Sequence, residues 1–200
     1  FYLGNVINSL YQVSTDDIAV KSNSTSLLFV GSKKYMAGAS SLIAAFEALK
    51  PLYPALTLDI IGIKKSDFTN LPEGVNCHGY LDKGNSEERE LYYNIFRKAR
   101  VFINTTPKWG AFSASIEAMY FHTPVIVTPY SEFLKTFGPD IDFGYYCEEN
   151  DEALIKDKIT SIMQNESYKQ LCINANNAVQ HFTWDAYVDK MVEKIEGLEK

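Results

Sequence analysis

The stretch over residues 103–127 constrains the fold of this chain more than any other part of the sequence. A short apolar strand ends near Ile103, a loop with Gly110 follows, and an Ala- and Ser-rich helix then carries one carboxylate, Glu117. Pro124 introduces a second apolar strand. Strand, tight loop, helix and strand form a βαβ unit, which places two parallel strands in one sheet.

The same alternation of apolar strands and helices continues along the chain. Strands are predicted at residues 27–30, 56–61, 75–80, 101–103, 125–127 and 143–147, and helices at 40–50, 87–99, 151–163, 166–181 and 184–198. This pattern predicts an α/β fold with a Rossmann-like, doubly wound parallel sheet that helices cover on both faces. Polar residues between Ser14 and Ser26 favour a linker or entry segment over residues 1–26, with one domain over 27–200.

Composition excludes several classes of protein. The 25 acidic and 19 basic residues give a net charge of −6, which argues against nucleic-acid binding. The three cysteines are far apart, so neither a disulfide framework nor a metal-binding spacing follows, and a reducing compartment, the cytoplasm, is the expected location. The three histidines stand at no recognisable catalytic spacing. No metal site is therefore expected.

The helix after the 103–110 segment has the features of an anion site. A helix N-terminus offers free N–H groups and a favourable dipole, and Ser113 is placed to cap its first turn. Glu117 follows about one turn later, where it could meet the hydroxyls of a ligand whose phosphates lie at the helix end. This arrangement suits a nucleoside diphosphate. The alternative is that the small residues only begin a helix and that Glu117 is solvated.

Several motifs in order resemble the C-terminal, donor-binding domain of GT-B-fold glycosyltransferases of family 4, the glycosyl transferases group 1. The motifs are LLFVGSKKYMAGASSLIAAFEAL, LTLDIIG, GVNCHGYLD, ELYYNIFRKARVFINTTP, IEAMYFHTPVIVT and HFTWDAYVDKMVEKI. The resemblance runs from about Leu27 onward, and Gly38 matches a glycine that precedes the first helix in the family. It implies one domain of a two-domain fold.

The resemblance also implies which residues hold a nucleotide-sugar donor. The family has two glutamates separated by seven residues, and Glu117 matches the second, which contacts the ribose. Backbone amides for the sugar and diphosphate would come from four positions: Gly110, Ala111, Phe112 and Ser113. The turn at Gly79, Tyr80 and Leu81 would border the base.

Three positions depart from the family pattern. Trp109 stands where the first glutamate belongs, and Met36 and Ala37 stand where the family has an arginine and a lysine before the glycine. Nearby lysines could supply the lost positive charge: Lys33, Lys34 and Lys108. Cations that stabilise a departing diphosphate normally contribute strongly to transfer.

The resemblance implies a retaining glycosyltransferase that moves a hexose from a nucleotide sugar without a metal, for example in polysaccharide biosynthesis. A glycan or lipid-linked acceptor would bind an N-terminal domain outside this chain, so the chain alone is expected to bind donor without transferring sugar. Peripheral association of the whole protein with the inner membrane face is compatible with this.

One alternative is a catalytically degenerate binding or partner domain. Another is a Rossmann-like oxidoreductase or regulatory domain, which the lack of GxGxxG after the first strand disfavours.

Overall fold

A computed structural model describes residues 5–106 and 112–197 of the chain. The strands are β1 (Ser26–Val30), β2 (Thr57–Ile61), β3 (Val75–Gly79), β4 (Ala99–Asn104), β5 (Val125–Val127) and β6 (Gly144–Tyr146). The α-helices are α1 (Asp16–Ser22), α2 (Met36–Leu49), α3 (Ser86–Lys98), α4 (Ser113–Tyr120), α5 (Ser131–Phe137), α6 (Glu152–Met163), α7 (Tyr168–Val179) and α8 (Trp184–Glu196). Two short 3-10 helices lie at Lys33–Tyr35 and Lys65–Asp67.

The six strands form one sheet in the order β3-β2-β1-β4-β5-β6, and every neighbouring pair is parallel. This is the strand order of the Rossmann fold, so the predicted doubly wound parallel sheet is confirmed. From β1 the chain adds β2 and β3 on one side of the sheet, and it then crosses to the other side of β1, where it adds β4, β5 and β6. The carboxyl ends of β1 and β4 therefore bound a crevice at the point where the winding reverses.

Alternation along the strands fills a core on each face of the sheet. On β1, Leu27 and Phe29 point to the face that α2 and α6 cover, and Leu28 points to the opposite face with α3 and α4. All three side chains are fully buried. Burial on both faces explains why β1 and β5 are almost continuously apolar, whereas the edge strand β3 carries the polar residues Asn76 and His78.

The segment before β1 packs against the domain. Helix α1 lies next to α3, and the buried ammonium of Lys21 donates to the carbonyl oxygens of Phe96 at 2.5 Å and Ala99 at 3.1 Å and to Thr123 Oγ1 at 2.8 Å. Residues 16–22 are thus a helix inside the fold, although the sequence suggested a polar linker here. The role of residues 1–26 as the entry from another domain stays a prediction.

Helix starts differ from the sequence predictions in two places. Helix α2 begins at Met36, four residues before the predicted start, so Gly38 lies within its first turn and not before it. Helix α4 has Phe112 at its N-cap, and Ser113 is the first helical residue and not the predicted cap. Across the described residues, no helix has both the length and the apolar character required to cross a membrane.

Candidate functional site

Two adjoining cavities occupy the crevice between the carboxyl ends of β1 and β4. One, of about 310 Å³, lies between the end of β4 and the start of α4, and the other, of about 480 Å³, extends towards the turn after β3. The residues that line both cavities are Val30, Gly31, Ser32, Ser113 and Ala114. Because they share these residues, the two cavities form one continuous crevice.

The first turn of α4 opens into this crevice. Ser113, Ala114 and Ser115 line the smaller cavity, and the first hydrogen bond of the helix runs from Ile116 N to Phe112 O at 3.0 Å. The N–H groups of the residues before Ile116 therefore lack partners within the helix. These donors, together with the positive end of the helix dipole, favour an anion at this place.

Phe112 anchors the start of α4. Its ring is buried and packs edge-on against Phe133 and Phe137 of α5, with ring centroids 5.3 and 5.9 Å apart. Helix α5 thereby holds the N-terminus of α4 in position beside β4. The predicted role of Phe112 and Ser113 as backbone donors is thus compatible with where both residues lie.

Glu117 of α4 lines the larger cavity, and its carboxylate is bound by protein side chains and is not solvated. Lys83 Nζ donates to Oε1 at 2.6 Å, and the Tyr92 hydroxyl donates to Oε2 at 2.8 Å. The residue is 9% exposed. Both carboxylate oxygens therefore have a partner in the protein, and a ligand can approach Glu117 only from the side where Lys83 lies.

Tyr92 supports Glu117 from the protein interior. Its ring is buried on α3 and stacks on Phe96 with ring centroids 4.5 Å apart. Burial, and then the charge of Glu117, raise the pKa of the Tyr92 phenol, so the hydroxyl keeps its proton and remains a donor. Tyr92 was missed in the sequence because nothing local relates it to a carboxylate 25 residues away.

Lys83 is the second functional residue that the sequence analysis missed. It lies two residues after the predicted base-bordering turn, and that position is the signal that could have identified it. Besides Glu117, its ammonium donates to the carbonyl oxygen of Asn8 at 3.2 Å and lies 4.6 Å from the centroid of the Tyr92 ring. Among the described residues that line the crevice, Lys83 is the one cationic side chain.

The predicted lysines after β1 lie away from this centre. Lys33 pairs with Asp67 at 2.7 Å, and its side chain is 71% exposed. Lys34 is exposed, and neither lysine is among the described residues that line the crevice, whereas their neighbours Ser32 and Tyr35 are. Met36 and Ala37 form the first turn of α2 and bring no charge there.

The turn after β3 forms the far end of the larger cavity. Leu81 is buried and Tyr80 is 78% exposed, and both line the cavity. Gly79 adopts a φ of +67°. Gly62, beside it, adopts a φ of +94°, and a Cβ atom at Gly62 would lie 2.5 Å from the carbonyl oxygen of Gly31. A side chain at Gly62 would collide there, so the close approach of β1 and β2 at the crevice floor needs glycine.

Four predicted site residues lie outside the described residues: Lys108, Trp109, Gly110 and Ala111. Their predicted roles in diphosphate and sugar binding therefore stay predictions.

Comparison with protein families identifies the chain. The model of the glycosyl transferases group 1 family matches residues 14–179. The chain belongs to this family. The match begins before α1, in agreement with the packing of that helix into the domain, and it ends at the last residue of α7.

Solved glycosyltransferase structures share the fold. Sucrose-phosphate synthase from Thermosynechococcus elongatus is 22% identical with a TM-score of 0.69, and 94% of this chain aligns with 50% of that protein. HepE from Anabaena in complex with UDP-glucose is 17% identical with a TM-score of 0.71, and 97% of this chain aligns with 56% of that protein. The pneumococcal O-GlcNAc transferase GtfA in complex with UDP and GlcNAc is 18% identical with a TM-score of 0.66, and 97% of this chain aligns with 38% of that protein. The chain thus spans about half or less of these structures.

A search of curated protein sequences found no match to this chain. Within the described ranges, no cluster of three or more His, Cys, Asp or Glu side chains is placed to hold a metal ion.

Proposed function

We propose that this chain is the donor-binding half of a retaining glycosyltransferase that takes a sugar from a nucleotide-sugar donor. Family membership supports the reaction class, and the crevice at the switch point of the sheet is where ligands of such sheets bind. The observation that supports the proposal most directly is the position of the Glu117 carboxylate. This carboxylate lies in the crevice about one turn beyond the N-terminal donors of α4, at a spacing that suits a ribose next to a diphosphate.

In this proposal each part of the donor has a place. The diphosphate lies at the first turn of α4, where the N–H groups of Ser113 and Ala114 and the helix dipole favour negative charge. The ribose hydroxyls donate to Glu117. The base lies towards Tyr80 and Leu81 at the far end of the larger cavity.

The donor is proposed to be a hexose on a nucleoside diphosphate. HepE was solved with UDP-glucose and GtfA with UDP and GlcNAc, so uridine nucleotides are the first ligands to test. An acceptor glycan or lipid-linked acceptor would bind a partner domain, since the matched structures are about twice as long as this chain or longer. We expect this chain alone to bind donor without transferring sugar.

Calorimetric titration with UDP, GDP and ADP and their common sugar conjugates tests this function. We expect saturable binding of one nucleotide and at least a tenfold loss with Glu117→Ala, which corresponds to about 1.4 kcal/mol. Gln164→Ala, which removes an exposed polar side chain at the end of α6, is the control and should bind as the wild type does. Absence of saturable binding by the wild-type chain at millimolar nucleotide would contradict the proposal.

Metal independence has its own test. Because the helix end and basic groups would take the place of a cation, nucleotide affinity should be the same in EDTA and in millimolar Mg²⁺ or Mn²⁺. An affinity that rises more than a few-fold with either metal would show that a cation joins the diphosphate.

A second candidate is a binding or partner domain whose donor site no longer supports transfer. Met36 and Ala37 favour it, because they leave the first turn of α2 without the two cations of the family pattern. Nucleotide binding that survives while the whole protein shows no donor hydrolysis or transfer would favour this candidate.

A further inference from the structure

The crevice poses an electrostatic problem for the proposed donor. Its described lining contains two carboxylates, Asp82 and Glu117, and one ammonium, Lys83. Lys33, which the sequence offered as a replacement for the lost cations, is already paired with Asp67. A diphosphate that enters this lining brings further negative charge. The helix end alone contributes only about half an elementary charge of opposite sign.

Lys83 is held on a well-defined turn. Asp82 Oδ1 accepts from Gly84 N at 2.8 Å, and Asn85 caps α3 by accepting from Glu87 N at 2.9 Å. The backbone position of Lys83 is therefore fixed, whereas its side chain is 31% exposed and carries the ammonium on a flexible four-carbon stem.

The two partners of Glu117 differ in their freedom to move. Tyr92 is 6% exposed and stacked in the core, so its hydroxyl cannot leave Oε2 without unpacking α3. Lys83 borders the open cavity and can rotate away from Oε1. A ribose hydroxyl that reaches Oε1 from the crevice would take the position that Lys83 Nζ occupies.

We propose that Lys83 is the residue that recognises the diphosphate, and that it is exchanged from Glu117 to the phosphates when the ribose binds. This inference rests on the proposed function and adds a specificity-determining residue to it. The exchange replaces one charge-assisted hydrogen bond of Glu117 by bonds from the ribose and gives the released ammonium an anionic partner. No buried charge is left alone, because both groups gain a partner in the same step.

The exchange makes a prediction about ligand preference. A nucleoside without phosphates must displace Lys83 and offers it nothing in return, whereas the nucleoside diphosphate offers it a new partner. The wild type should therefore bind the diphosphate far more tightly than the nucleoside. Lys83→Met should weaken binding of the nucleoside diphosphate about tenfold and leave binding of the nucleoside unchanged or stronger.

The test is calorimetric titration of wild type, Lys83→Met, Lys83→Arg and Lys98→Met with uridine and UDP, or with the base that the wild type selects. Lys98→Met removes the same charge at the opposite edge of the sheet, where β4 begins, and should bind both ligands as the wild type does. Lys83→Arg keeps a cation and should retain most of the preference for the diphosphate. If Lys83→Met does not fold, the same titrations with nucleoside and nucleoside diphosphate are made on Lys83→Gln, which also removes the positive charge.

Two results would overturn the exchange. An equal loss for nucleoside and diphosphate would mean that Lys83 only holds Glu117 in place, and no change for either ligand would mean that Lys83 stays outside the site. If the wild type binds no nucleotide at all, the proposed function itself fails, and that result is read on the wild type alone.

Discussion

At the scale of single residues, the hydroxyl of Tyr92 sets the orientation of Glu117. It holds Oε2 towards the core, so Oε1 is the oxygen that faces the crevice. Tyr92→Phe removes this donor and leaves a largely buried carboxylate oxygen unpaired, at a cost of about 1–3 kcal/mol in unfolding free energy. Nucleotide affinity should fall roughly fivefold, which is about 1 kcal/mol, because Glu117 is no longer held in one rotamer.

Tyr93→Phe is the matched control for this change. Tyr93 is the next residue on α3 and is also buried, but its hydroxyl accepts from Leu10 N at 2.9 Å and does not serve Glu117. Its removal should leave nucleotide affinity unchanged. The two variants are compared by chemical denaturation and by titration. Equal affinities for both would show that Tyr92 has no positioning role.

The sequence predicts part of this site because part of it is local. Glu117 and the start of α4 lie in one βαβ unit, so helical spacing alone places the carboxylate one turn beyond the free N–H groups. Lys83 and Tyr92 reach Glu117 from 34 and 25 residues away. Their contacts depend on how β3 and α3 pack beside α4, which no local pattern reports. Lys33, which the sequence suggested as a diphosphate-binding residue, instead forms an ion pair with Asp67.

At the scale of elements, the first turn of α2 depends on Gly38. A Cβ at this position would lie 2.1 Å from Thr106 Oγ1 and 3.2 Å from Thr106 N, so α2 approaches the end of β4 more closely than a side chain allows. We expect Gly38→Ala to destabilise the fold by about 1–3 kcal/mol. The cost should fall when Thr106→Ala is introduced with it, as a double-mutant cycle by chemical denaturation would measure. Additive costs would contradict the contact.

Helix α1 is fixed to the end of α3 by Lys21, and this contact predicts a pH dependence. Burial lowers the pKa of Lys21 to about 7, against 10.5 for an unperturbed lysine. Between these values the unfolded chain binds the proton and the folded chain releases it, so the contribution of Lys21 to stability rises with pH. The unfolding free energy of the wild type minus that of Lys21→Met should rise by between about 1 and 2 kcal/mol from pH 7 to 8.5.

The same exposed lysine on α3, Lys98, provides the control for this pH series. Lys98→Met should differ from the wild type by a constant amount over the same range. A constant difference for Lys21→Met as well would mean that the three acceptors around Lys21 keep its ammonium charged.

The sequence predicts the strands and long helices of this fold well and the short helices poorly. The strands β1, β4 and β5 are mostly apolar and are buried on both faces of the sheet, so their hydrophobicity marks them in the sequence. Helices α1 and α5 have seven residues each, too few for a clear apolar period. In α5, Gly138 ends the helix with a φ of +84°, and in α1 tertiary contacts of Asp17 and Lys21 stabilise a polar segment.

In the molecule as a whole, the winding of the sheet reverses once over the described residues, between β1 and β4, and the proposed donor site lies there. Most of the described residues that line the crevice lie at or just after the carboxyl ends of β1 to β5, and the others include residues of α3 and α4. The chain aligns with half or less of sucrose-phosphate synthase and GtfA. We therefore expect nucleotide binding by this chain without transfer, and detectable sugar transfer from a radiolabelled donor by the chain alone would contradict this expectation.

The most direct test of the proposed donor site is a crystal structure of this chain with the nucleoside diphosphate that it binds most tightly. We expect the diphosphate at the first turn of α4, a ribose hydroxyl within hydrogen-bond distance of Glu117 Oε1, and the Lys83 ammonium moved from Glu117 to the phosphates. A nucleotide bound away from the β1–β4 crevice, or one whose ribose does not contact Glu117, would contradict the assignment of the donor site.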